Sequence, residues 1–130
     1  MRIAVVCVGL LGLLVFALGI AVSTVRGQTQ TLYGYTPDPA DRLYKLVRAH
    51  GNAVEYAPIL AVLILVLGWR GSGPWLQATF IAAVICRYLH AAGMITSTRL
   101  DRPNPLRFIG ALVTYITGII LAVAVILTPA

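Results

Sequence analysis

The chain has 130 residues, of which 59% are hydrophobic and only 11% charged, and its formal net charge is +6. About a quarter of the residues of a soluble domain are charged, so this composition excludes an ordinary soluble domain and is typical of an integral membrane protein. The positive charge does not indicate nucleic-acid binding, because the sequence has no basic run with interleaved aromatic residues. The length suits a single domain over residues 1–130.

Four apolar segments are long enough to cross a bilayer, and they predict an all-α, four-helix integral membrane bundle. The first, residues 3–24, is longer than the ~7–15 apolar residues of a signal peptide, so we interpret it as a retained span. Glycines along this span are expected to let neighbouring backbones approach closely; they are Gly9, Gly12 and Gly19. A polar, turn-rich connection leads to the second span, residues 41–68, in which Pro58 predicts a kink.

The third span, residues 74–95, follows a short connection bracketed by Trp69 and Trp75, which is typical of aromatic side chains at a membrane interface. The fourth span, residues 105–127, is expected to begin at Asn104, a good N-cap followed by proline. The first and third connections are rich in arginine, so the positive-inside rule places them in the cytoplasm and both termini outside. The alanine- and valine-rich composition favours a bacterial inner membrane.

The two cysteines, Cys7 and Cys86, both lie within apolar segments. No CxxC motif and no Cys/His spacing typical of a metal site occurs in the sequence. We therefore expect two small buried side chains, no disulfide and no bound metal.

Polar side chains concentrate on one face of the second span, where Arg48, Asn52 and Glu55 are spaced i, i+4 and i+7. Ionisable groups at membrane depth are costly and usually functional. Since the second and third spans run in opposite directions, residues of the third span reach similar depths. Six polar residues are expected to line one cleft that opens to the cytoplasm: Arg48, Asn52, Glu55, Arg87, His90 and Arg107.

These groups could instead neutralise one another, because an Arg87–Glu55 ion pair would reduce the burial cost of both. Such a pair would leave three cations without an acidic partner at membrane depth: Arg48, His90 and Arg107. The surplus of cations predicts an anionic ligand with at least two carboxylates. Three further side chains are expected to serve helix packing or the membrane interface: His50, Tyr56 and Tyr88.

The run Arg48-Ala49-His50-Gly51-Asn52-Ala53-Val54-Glu55, followed by Pro58, resembles the second-helix signature of the MAPEG family. These are the membrane-associated proteins in eicosanoid and glutathione metabolism. The run Arg87-Tyr88-Leu89-His90 resembles the family's third helix, and Asn104-Pro105-Leu106-Arg107 resembles the start of its fourth. Length, number of spans and orientation are also similar, so the resemblance covers the whole chain.

The resemblance implies a homotrimer in the lipid bilayer, with glutathione as co-substrate bound between helices of adjacent subunits near the cytoplasmic side. It implies that Arg48 and Asn52 hold polar groups of glutathione and that Glu55 binds the ammonium of its γ-glutamyl group. Arg87 and His90 would then meet carboxylate or backbone groups of the peptide.

The resemblance also places Arg107 near the glutathione thiol, as the catalytic candidate. A free thiol has a pKa of about 8.5, and a guanidinium in the first turn of a helix would favour the thiolate. The other substrate would be a hydrophobic electrophile dissolved in the bilayer. Gly51 stands where the prostaglandin-forming member has arginine, and three positions that carry hydroxyl groups in some active members are apolar here: Met94, Phe108 and Ala111. These departures argue against eicosanoid synthesis.

Three functions follow as hypotheses. The first is a glutathione transferase or peroxidase that acts on hydrophobic electrophiles. The second is a non-catalytic glutathione- or lipid-binding protein of the same fold. The third is a small proton-coupled transporter that uses Glu55, although the small multidrug exporters carry their carboxylate in the first span, which has none here.

Overall fold

Four helices make up nearly all of the computed structural model, which describes residues 1–128. Their bounds are as follows: α1 Arg2–Thr29, α2 Arg42–Trp69, α3 Pro74–Thr96 and α4 Pro105–Leu127. Each helix is long and apolar enough to cross a membrane, and the described residues contain no strand. The prediction of an all-α bundle with four membrane-spanning helices is therefore confirmed.

Local sequence signals explain the helix ends. Asp41 precedes α2, and its carboxylate accepts a hydrogen bond of 2.8 Å from the backbone N–H of Tyr44. Asn104 caps α4, and proline follows as the first helical residue, as the sequence predicts. α1 continues to Thr29, past the predicted end of its span at residue 24, and α2 runs unbroken through Pro58.

The apolar core lies mainly at the end of the bundle where α2 turns into α3. Its largest fully buried side chains there come from all four helices: Leu11, Ile64, Leu67, Phe80 and Leu121. Two smaller buried clusters fill the opposite end, and neither contains a residue of α4. α4 therefore contributes to the core at one end only, and at the other end space remains between α2 and α4.

α3 and α4 are in backbone contact, which two glycines make possible. A methyl group added at Gly93 would lie 2.6 Å from the backbone nitrogen of Arg107, and one added at Gly110 would lie 2.6 Å from the backbone nitrogen of His90. Such distances are far shorter than van der Waals contact, so only glycine fits at these two positions. The close approach fixes His90 against the first turn of α4.

The glycines of α1 do not have the role that the sequence predicts for them. Within the described chain, a methyl group at Gly9 or Gly12 would meet no heavy atom within 4 Å, and one at Gly19 would meet only the His50 ring. The expectation of close backbone approach at Gly9, Gly12 and Gly19 is therefore wrong within the described chain. Glycine spacing on one helix does not reveal which helix lies opposite.

Candidate functional site

A cleft of about 890 Å³ lies at the end of the bundle where α3 turns into α4, and residues of α2, α3, α4 and that connection line it. Four of the six predicted site residues contribute to its lining: Arg48, Asn52, His90 and Arg107. The rest of the lining is mostly apolar and includes Leu100 and Phe108. Among the described residues that line the cleft, none is acidic.

α2 presents a polar stripe to this cleft. Tyr44, Arg48 and Asn52 are one helical turn apart and all three line it. Arg48 is exposed, whereas Asn52 is half-buried. Tyr44 was not among the predicted site residues, although its position four residues before Arg48 is a periodic signal that could have identified it.

Arg87 lies immediately behind the cleft and is the most deeply buried cation of the cluster, with only 2% of its surface exposed. Its Nη2 donates a hydrogen bond of 3.0 Å to Oδ1 of Asn52, and its guanidinium carbon lies 5.1 Å from the centroid of the Tyr56 ring. Its Nε has no hydrogen-bond partner among residues 1–128. A buried guanidinium with an unused donor is costly unless an acceptor reaches it.

Mutual neutralisation does not account for this charge. Within the described part of the chain there are two ion pairs, and both belong to Arg99 in the connection between α3 and α4. The alternative in which Glu55 neutralises Arg87 is therefore wrong. The cleft retains the surplus of positive charge that the sequence predicts.

His90 joins the cleft to α4. It is 8% exposed, and its Nδ1 lies 2.9 Å from the backbone carbonyl oxygen of Arg107. Because a carbonyl oxygen only accepts hydrogen bonds, this contact requires the proton on Nδ1. The neutral ring then keeps Nε2 as an acceptor at the cleft.

Arg107 holds together the rim of the cleft, which is formed by the connection between α3 and α4. Its Nη1 and Nη2 each donate a hydrogen bond of 2.9 Å, to the carbonyl oxygens of Leu100 and Arg102. Its backbone N–H donates to Oδ1 of Asn104 over 3.0 Å. The side chain thus holds the connection between α3 and α4 in place, and its charge remains at the cleft.

The two connections at this end of the bundle are tied to each other and to α2. The backbone N–H of Leu100 donates to the carbonyl oxygen of Pro39 over 3.0 Å. Nζ of Lys45 donates to the carbonyl oxygen of Ser97 over 3.1 Å, just beyond the end of α3. These contacts fix the connection between α3 and α4 relative to α2 and the first connection.

A small network of charges completes the rim. Arg99 binds Asp101 at 2.9 Å and approaches Asp38 of the first connection at 3.8 Å. The hydrogen bond from Arg99 holds the pKa of the Asp101 carboxyl below its ordinary value of 3.8. Both side chains are exposed, so this network stabilises the rim without the desolvation cost of a buried charge.

Glu55 lies outside the cleft. Its exposed side chain lines a second groove between α2 and α4, of about 500 Å³, together with Tyr56, Ile59, Tyr115 and Ile119. The groove adjoins the cleft, since Tyr56 is one turn beyond Asn52 on α2. The structure therefore brings four predicted residues together, links Arg87 to them through Asn52, and places Glu55 in the next compartment.

Two tyrosines of this groove were not identified as site residues. The hydroxyl oxygens of Tyr56 and Tyr115 lie 3.4 Å apart, and their ring centroids are 5.6 Å apart. No signal within either segment could have paired them, because the pairing depends on how α2 packs on α4. His50 packs against α1 and lines neither the cleft nor the groove, as expected of a packing residue.

Comparison with known proteins agrees with this architecture. The MAPEG family model matches residues 4–127 of the 130-residue chain. No curated protein and no solved structure matches the chain. The matched region covers almost the whole chain; it contains α2, α3, α4, all of α1 except its first two residues, and every residue of the cleft. The chain is therefore a multi-pass membrane protein and belongs to the MAPEG family, whose members act in eicosanoid and glutathione metabolism.

Proposed function

We propose that this protein binds glutathione in the cleft and conjugates it to hydrophobic electrophiles that enter from the bilayer, as a transferase or peroxidase-like enzyme. The observation that carries the proposal is the cluster of cations around a cleft whose described lining contains no carboxylate. Glutathione has two carboxylates and one ammonium group, so arginine-rich surroundings complement its charge.

The geometry supports a division of roles among the polar residues. Arg48 and Asn52 would hold polar groups of the peptide at the cleft, and Nε2 of His90 would accept a hydrogen bond from a backbone N–H group beside them. A carboxylate placed next to Asn52 would also lie near the charge of Arg87, which is bonded to Asn52 behind the cleft. Glu55, one turn further along α2, would take the ammonium group.

Arg107 would act on the thiol. Its guanidinium lies in the first turn of α4, where the helix N-terminus adds a partial positive charge. Together they would stabilise a thiolate whose ordinary pKa is about 8.5. The adjoining apolar groove would hold the electrophile.

We also propose a homotrimer in which a neighbouring subunit covers the open side of the cleft. Native mass spectrometry in detergent tests this stoichiometry.

One observation favours a second candidate, a binding protein without turnover. Both Nη atoms of Arg107 donate to carbonyl oxygens of the rim, which leaves fewer donors for a thiolate. The three lining positions at which some active members carry hydroxyl groups are also apolar here: Met94, Phe108 and Ala111.

A titration of glutathione against the detergent-solubilised chain tests both candidates. The transferase predicts binding, the appearance of thiolate absorbance near neutral pH, and conjugation of 1-chloro-2,4-dinitrobenzene. The binding protein predicts binding without thiolate and without conjugation. If the protein does not bind glutathione at all, the transferase fails and so does the glutathione-binding form of the second candidate, which leaves only its lipid-binding form.

A matched pair of variants locates the binding. Arg48 and Arg42 are both exposed residues of α2, but only Arg48 lines the cleft. A hydrogen bond to a charged group contributes about 1.5–3 kcal/mol, so we expect Arg48→Ala to weaken glutathione binding by about tenfold or more. Arg42→Ala removes the same charge outside the cleft and should change the affinity much less. Equal effects of the two variants would place the ligand elsewhere.

A further inference from the structure

Tyr56 and Tyr115 form a connected pair that the function proposed above does not use. Tyr56 comes from α2 and Tyr115 from α4, and the Tyr56 hydroxyl donates to the Tyr115 hydroxyl oxygen over 3.4 Å. The guanidinium of Arg87 lies over the Tyr56 ring, 5.1 Å from its centroid. A buried cation is therefore coupled to two phenol groups in series.

This hydrogen bond leaves one proton available when Tyr56 is the donor. The Tyr115 hydroxyl then accepts one hydrogen bond and keeps its own proton for another acceptor. Tyr115 is 48% exposed and lines the groove, so an acceptor bound there can reach it. The charge of Arg87 favours negative charge that develops on the pair, whereas the carboxylate of Glu55, which lines the same groove, opposes it.

The position of the pair suits a reaction at the boundary of the two compartments. Asn52 and Ala111 line the cleft, and Tyr56 and Tyr115 follow them by one turn on α2 and α4. Four residues of helix span about 6 Å, so the hydroxyl pair lies close to the inner end of the cleft. Beyond it the groove is apolar, with Ile59, Leu63 and Ile119 along its walls.

We propose that Tyr115 is a catalytic proton donor and that the electrophile is an α,β-unsaturated carbonyl compound on an apolar chain. This inference rests on the proposed transferase function. The glutathione sulfur, after losing its proton to water, forms a bond to the β-carbon of the alkene. The π-electron pair of the alkene moves towards the carbonyl and produces an enolate oxygen, which takes the proton of the Tyr115 hydroxyl. Water then returns a proton to Tyr115, and the enol rearranges to the carbonyl product.

The test compares two electrophiles on the full-length protein with glutathione. trans-2-Nonenal needs a proton on its oxygen, whereas 1-chloro-2,4-dinitrobenzene loses chloride and needs none. General acid catalysis contributes about 100-fold or more, so Tyr115→Phe should lower kcat/KM for nonenal by about that factor. The same variant should leave glutathione affinity unchanged and should lower kcat/KM for the chloroarene by a much smaller factor, because that reaction needs no proton on the electrophile. Tyr56→Phe should lower the nonenal rate by a smaller factor, since it removes the support and not the donor.

Tyr88→Phe serves as the matched control, because the Tyr88 hydroxyl donates to the carbonyl oxygen of Leu10 on α1, away from the groove. It should leave both rates unchanged. An equal loss on both electrophiles in Tyr115→Phe, or no loss on nonenal, overturns the role of Tyr115. Glutathione binding by the wild type without conjugation of either electrophile overturns the role of Tyr115 and the transferase together. Absence of glutathione binding overturns the proposed function itself.

Discussion

Arg87 on α3 donates a 3.0 Å hydrogen bond to the side-chain carbonyl oxygen of Asn52 on α2. A buried cation thus rests on a neutral amide and not on a carboxylate. The amide satisfies one donor without cancelling the charge, so Arg87 can still attract an anion to the cleft that Asn52 lines.

Asn52 is expected to control stability and affinity separately. Asn52→Ala leaves a second donor of Arg87 without an acceptor and should lower the free energy of unfolding by about 1–3 kcal/mol. Asn52→Asp should keep or raise stability, since it creates an ion pair with Arg87. Both variants should bind glutathione more weakly, because Asn52→Ala removes a ligand contact and Asn52→Asp neutralises the cation. Thermal unfolding and calorimetric titration measure the two effects, and Asn52→Asp with wild-type affinity would contradict the role of Arg87's charge.

Gly93 is expected to be indispensable to the geometry of the site. Gly93→Ala puts a methyl group 2.6 Å from the backbone nitrogen of Arg107 and should push α4 away from α3. We expect a destabilisation of about 1–3 kcal/mol and a loss of glutathione affinity, because His90 and Arg107 separate. Gly12→Ala on α1 is the control, since its methyl group meets no heavy atom within 4 Å of the described chain. It should be neutral or stabilise by up to about 1 kcal/mol through helix propensity.

Arg107 is expected to serve both the rim and the thiol. In the wild type, conjugation should be almost independent of pH above neutrality. In Arg107→Ala it should rise with pH through about 8.5, the ordinary pKa of a thiol. Arg107→Lys should restore part of the thiolate but little of the thermal stability, because one ammonium cannot reproduce the forked contact with two carbonyl oxygens. Arg102→Ala removes a neighbouring charge and leaves its backbone acceptor in place, so it should change the pH profile little.

Asp101 is expected to stabilise the rim in a way that depends on acid pH. Arg99 lowers the pKa of this carboxyl in the folded protein, so the stabilisation is present above its ordinary value of 3.8 and is lost as pH falls through the folded value. The difference in melting temperature between wild type and Asp101→Asn should therefore be constant between about pH 5 and about pH 8 and should shrink below about pH 4. High salt should also reduce it, because the pair is exposed. A difference that changes steadily between pH 5 and pH 8 would point to another titrating group.

Part of the site could be predicted because it lies on one helix. Arg48 and Asn52 are a single turn apart, and helical periodicity alone places them on the same face. The same periodicity placed Glu55 with them, yet it lies in the adjoining groove. The turn spacing predicts the direction in which a side chain points around its own helix. How far the cleft extends along α2 depends instead on where α4 packs against α2, which is at Tyr56 and Tyr115.

The number of helices, their starts at Asp41 and Asn104, and the surplus of cations over acidic groups around the cleft could all be known from the sequence alone. These features depend on local hydrophobicity, on capping and on the cost of ionised groups in an apolar medium. The contact of Gly93 with α4, the exclusion of Glu55 from the cleft and the pairing of Tyr56 with Tyr115 were decided by the tertiary structure. Each of them depends on which residue of another helix lies opposite, and no pattern within one helix contains that information.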